Sequence, residues 1–146
     1  MSISNRQIKW AVLATSIAAY VASLRLPALI FQQHESLYGI EVLLWGWWGV
    51  LVLEFAWFAN PAYLLAIAGC MGESPKLTKL ASTVGLMLGL TSFHAKEWWF
   101  DEGSGTLIIG LGPGFYVWML SLCILLVGAF FTSPSRRRAP GSLLNE

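Results

Sequence analysis

Glu54 is the first residue whose chemistry stands out. It interrupts an apolar run at 42–71, and Asn60 follows in the same run. A carboxylate inside an apolar span costs about 2.5–3.5 kcal/mol on insertion scales, so such a group faces a polar interior, is protonated, or both. With Asn60 one to two turns deeper, the pair is a candidate for handling a proton or a cation. The plainer alternatives are a hydrogen bond between helices or a shallow, wetted carboxylate. If the span begins near Trp48, Glu54 lies only about 9 Å deep.

Two further polar groups flank the apolar runs: His34, Glu35 and Glu41 in one segment, and His94, Glu97, Asp101 and Glu102 in another. Histidine and carboxylates bind zinc and related ions. Here no HxH, HxxxH or HExxH spacing occurs, so no metal site is expected. No nucleophile or oxyanion-stabilising group accompanies them either, which argues against an enzyme. Cys70 and Cys123 lack CxxC spacing and are read as small packing residues. The stretch GLGPG at 110–114 lacks the Lys-Ser/Thr ending of a phosphate loop and is read as a tight turn that leads Phe115, Tyr116 and Trp118 into an interface. No cofactor is expected.

These residues need elements to hold them, and composition indicates which. Of 146 residues, 56% are hydrophobic and 12% charged, against roughly 25% charged in a soluble domain. The apolar residues fall in runs, the pattern a bilayer selects. The sequence therefore predicts an all-α membrane protein with four transmembrane helices at about 8–26, 48–71, 77–95 and 107–131, forming one domain over 1–132. A basic cytoplasmic tail, 133–146, follows. The first run is read as an uncleaved span, since no Ala-x-Ala site follows it. Residues 39–47 are expected to be interfacial or re-entrant, because tryptophan concentrates at the headgroup level and Trp45, Trp47 and Trp48 cluster there. Trp98 and Trp99, followed by Asp101 and Glu102, form a second such belt. Pro61 is expected to kink the second span.

Charge orients the chain. Arg6, Lys9, Lys76, Lys79, Arg136, Arg137 and Arg138 fall on one side of this arrangement; Arg25 and Lys96 fall on the other. The positive-inside rule then places both termini in the cytoplasm. The net charge of +1 offers no field for nucleic acid. Small residues recur at four-residue spacing in Ala14, Ala18, Ala22 and in Ala81, Gly85, Gly89. Such stripes suit a close crossing of the first and third helices, or a homo-dimer.

The stretches Ala56-Trp-Phe-Ala-Asn-Pro61, Asp101-Glu-Gly103 and Gly112-Pro-Gly-Phe-Tyr-Val-Trp118 resemble an uncharacterised group of small four-helix bacterial inner-membrane proteins, over residues 26–128. The resemblance implies a multi-pass inner-membrane location and no activity. In layout the chain is also similar to membrane immunity proteins that protect bacteria from pore-forming toxins. Together these features point to a non-enzymatic interaction protein whose partners are the lipid bilayer and another membrane protein or toxin. Glu54, Asn60, Trp45, Trp47, Trp48, Trp98, Trp99, Asp101 and Glu102 are the candidate contact residues. A small transporter, channel or respiratory accessory subunit with Glu54 in a proton or cation path is the alternative.

Overall fold

A computed structural model describes residues 4–32, 34–100 and 105–131. Asp101, Glu102, Arg136, Arg137, Arg138 and the expected tail at 133–146 lie outside the described residues.

Helix α1, Asn5–Ser23, starts at a capping box: the Gln7 amide donates to Ser4 Oγ, and the Ser4 amide donates to Gln7 Oε1 at 3.0 Å. It ends ahead of Pro27, whose ring disfavours helix in the residue before it. Strand β1, Pro27–Phe31, follows directly. A two-residue strand β2, Leu37–Tyr38, leads into the short helix α2, Gly39–Trp45. The chain then tightens into a 3-10 segment, Gly46–Val52, which stops at Leu53 in the left-handed conformation, φ 62°. A second 3-10 turn, Ala56–Phe58, opens helix α3, Ala59–Met71.

Helix α3 closes in a Schellman motif. The Ser74 amide reaches Gly69 O at 2.9 Å and the Glu73 amide reaches Cys70 O at 3.4 Å. Glu73 holds the left-handed position, φ 54°. Helix α4, Pro75–Thr91, has proline in its first turn, where no amide hydrogen bond is lost. After a 3-10 turn, strands β3, Glu97–Trp99, and β4, Gly105–Leu111, lead to helix α5, Pro113–Phe131, which also begins on proline.

The strands form one antiparallel sheet in the order β2-β1-β4-β3. Its central pairing joins Leu29 to Leu111 and Ile30 to Gly110. Trp98 pairs with Thr106 at one edge, and Pro27 with Tyr38 at the other. The helices α1, α3, α4 and α5 form a bundle. α1 runs antiparallel to α5: Gly114 approaches Leu26 at one end, while Gly128 meets Val12 toward the other. α3 and α4 make a hairpin in which buried Gly85 faces Ala59 and Ala62, and α4 packs on α5 through Gly89 against Met119 and Leu122. Leu13, Tyr63, Ala66, Ala81, Phe115, Leu122 and Leu125 form the core.

These features overturn the expected all-α fold with four transmembrane helices. A four-stranded sheet joins the two segments read as outer loops. Among the described residues only α5 is long and apolar enough to cross a membrane, with mean hydropathy 2.2. The stretch at 107–131 was too long for a single helix: its first part, 107–111, belongs to β4. The second expected span, 48–71, dissolves into 3-10 turns, a left-handed leucine and a helix of 13 residues. Pro61 sits in the first turn of α3 and so kinks nothing. The third helix is shorter than 77–95 at its far end, where 3-10 turn and strand take over.

The paired stripes part company too. Ala81, Gly85 and Gly89 are buried, but Ala14, Ala18 and Ala22 face outward, because α1 turns Leu13 and Ser16 inward instead. The helix beside α1 is α5, not α4.

Candidate functional site

The interior of the bundle is held by polar side chains. Ser16 Oγ donates to Ser121 O at 2.8 Å and lies 2.8 Å from the Tyr63 hydroxyl. A serine has one proton to give, so Tyr63 must be the donor to Ser16. The Tyr20 hydroxyl donates to Asn60 Oδ1 at 2.9 Å, and Trp118 Nε1 donates to the same oxygen at 3.0 Å. Asn60 in turn donates to Trp57 O at 2.9 Å, and Trp57 Nε1 reaches Leu43 O at 2.8 Å. The rings of Tyr20 and Tyr63 stack at 4.8 Å. One amide thus ties α1, α3, α5 and the segment after α2 together.

Above this network, between the end of the bundle, the sheet and the α2 segment, lies a cavity of about 1100 Å³. Six of the eight tryptophans line it: Trp45, Trp48, Trp57, Trp98, Trp99 and Trp118. Each arrives by a different local route. Trp98 and Trp99 come from edge strand β3, and Trp118 from the second turn of α5. Trp45 and Trp48 come from the α2 helix and the 3-10 segment that continues it. Gly46 permits close packing there, since a Cβ would stand 2.7 Å from the Trp57 ring.

Glu41, Glu54 and Glu97 also line the cavity. The Glu41 carboxylate accepts the Tyr38 amide at 2.7 Å, capping α2. Glu54 is half-buried in the short connection after Leu53, not within a helix. Neither Glu54 nor Glu97 has an ion-pair partner among the described residues.

The structure therefore gathers Glu54, Asn60, Trp45, Trp48, Trp98 and Trp99 on one wall, though they were drawn from separate segments. Trp47 stands apart from it, stacked on Trp48 at 4.4 Å. Trp57, which the sequence analysis did not single out, and Trp118, which it expected only to enter an interface, also line the cavity. Their signal lay in the stretches 56–61 and 112–118 that carried the resemblance. No group of three or more metal-binding side chains occurs among the described residues.

Compared with protein-family models, curated proteins and solved structures, the chain matches none. The likeness to small four-helix inner-membrane proteins therefore rests on its three short stretches alone.

Proposed function

We propose that the chain is a non-enzymatic interaction protein of the bacterial inner membrane, which works by receiving an apolar partner in the tryptophan-lined cavity. The cavity carries this reading: tryptophan supplies large apolar contact area with a polar edge, and is a frequent anchor where proteins bind.

Residence in a membrane is supported by where polarity lies. The buried polar side chains Ser16, Ser23, Asn60, Thr78, Ser82 and Ser121 are all hydrogen-bonded. Outward-facing positions are apolar along the helices, with Leu64 63%, Leu80 65% and Leu120 53% exposed. Water disfavours that arrangement and lipid favours it. Arg6, Lys9, Lys76 and Lys79 share the end of the bundle away from the sheet, which suits a cytoplasmic orientation of that end. α5 serves as the crossing helix.

The most concrete form of this function is immunity against a membrane-acting toxin, which meets its antagonist in lipid. An ion path through Glu54 has less support, because its carboxylate opens on the cavity from a connection outside the helices.

The test uses tagged full-length chain in bacterial cells. It should remain in the inner-membrane pellet after alkaline carbonate washing. It should also rescue cells from the toxin encoded beside it, and lose that rescue with Trp48→Ala plus Trp98→Ala. Release by carbonate, or rescue indifferent to the aromatic wall, overturns the proposal.

A further inference from the structure

The wall of the cavity has a charge sign as well as an apolar character. Glu41, Glu54 and Glu97 line it, and among the described residues no Lys, Arg or His does. Arg25, His94 and Lys96 lie at the same end of the molecule but off this wall. The Glu41 carboxylate is engaged by the Tyr38 amide. Glu54 and Glu97 accept no hydrogen bond from a described residue. Six indoles also line the wall, and the face of an indole presents negative potential to a cation that lies over it. Carboxylates and ring faces thus act in the same direction. Glu97 is exposed and Glu54 half-buried, so both stay charged without a partner. An apolar body seated on this wall is favoured when it carries a positive charge toward them, and an anionic one is repelled.

We infer that the cavity selects a lipophilic cation, an apolar body of small-molecule size that carries a positive charge. The inference rests on the binding function proposed above and specifies the class of ligand. The aromatic wall takes the apolar body, and Glu54 and Glu97 supply the countercharge. A volume of about 1100 Å³ accommodates such a molecule, since pockets for drug-sized ligands run to about 1000 Å³.

Tetraphenylphosphonium and tetraphenylborate have nearly the same shape and opposite charge, so the pair separates charge selection from apolar binding. Equilibrium dialysis of the full chain in a non-ionic detergent, with empty micelles subtracted, should show tetraphenylphosphonium binding at least tenfold tighter than tetraphenylborate. Glu54→Gln plus Glu97→Gln should weaken the cation at least fivefold and leave the anion unchanged or tighter. Because neither carboxylate has a hydrogen-bond or ion-pair partner among the described residues, these substitutions should spare the fold, and unchanged thermal unfolding checks this. Equal binding of the two ions, or a variant that keeps full cation binding, overturns the inference while leaving the apolar binding function standing. Binding of neither ion also overturns the inference, while the partner-binding function is decided separately by the rescue assay.

Discussion

The Tyr20 hydroxyl on α1 and the Asn60 side-chain oxygen at the start of α3 meet at 2.9 Å, and Trp118 of α5 donates to that same oxygen. Three helices far apart in sequence thereby share one acceptor, directly beneath the cavity.

Asn60→Leu keeps the side-chain volume and removes that acceptor. The Tyr20 and Trp118 donors are left without their partner, and Trp57 O loses its side-chain donor. A buried unsatisfied group costs about 1–3 kcal/mol, with the lower end applying in lipid-like surroundings. Thermal unfolding in detergent should report a loss in that range. A change below about 0.5 kcal/mol would mean that packing alone holds these helices.

The direction of the hydrogen bond between Tyr63 and Ser16 predicts an asymmetry. Tyr63→Phe removes one donor, and Ser16 still serves Ser121 O. Ser16→Ala removes both the contact with the Tyr63 hydroxyl and the one with Ser121 O. The serine variant should therefore lose more stability, about 1–2 kcal/mol, than the tyrosine variant, about 0.5–1 kcal/mol. Paired unfolding curves decide it, and the reverse order would refute the assigned donor.

Gly112 and Gly114 let α5 begin against the end of α1 and the start of β1. A Cβ on Gly112 would collide with Pro27 O, and one on Gly114 would stand 2.6 Å from Leu26 O. Both obstacles are backbone, which cannot swing away. Gly112→Ala should cost at least about 1–3 kcal/mol, the usual range for overpacking. Gly110→Ala meets nothing within 4 Å and should stay within about 0.5 kcal/mol of the parent. Equal losses in the two would place the constraint elsewhere than at the β1–α5 junction.

Much of this molecule was legible from local pattern. The four long apolar runs do contain helices α1, α3, α4 and α5, because a helix satisfies its own backbone within the run and so needs no distant partner to form. The segregation of basic residues to one end was equally readable, since α1, α4 and the turn between α3 and α4 place Arg6, Lys9, Lys76 and Lys79 together. Glu54, Asn60 and the outer tryptophans also stood out by their chemistry against an apolar background, and Glu54, Asn60, Trp45, Trp48, Trp98 and Trp99 line one cavity.

What tertiary structure decided was where these runs change character. Leu29 and Leu111 pair across 82 positions of chain, and no local window of hydropathy contains both. β1 is apolar and β4 nearly so, so composition alone does not mark them as strands, and 107–111 read as the start of the fourth span. The break at Leu53 and the harmless placement of Pro61 depend on how the 3-10 segment packs under Trp57, which is again a contact between separate elements. Residue types alone determined which runs hold the long helices and where Arg6, Lys9, Lys76 and Lys79 gather. Only the folded arrangement, by pairing strands from two distant segments over one end of the bundle, brought its tryptophans and glutamates around a common cavity.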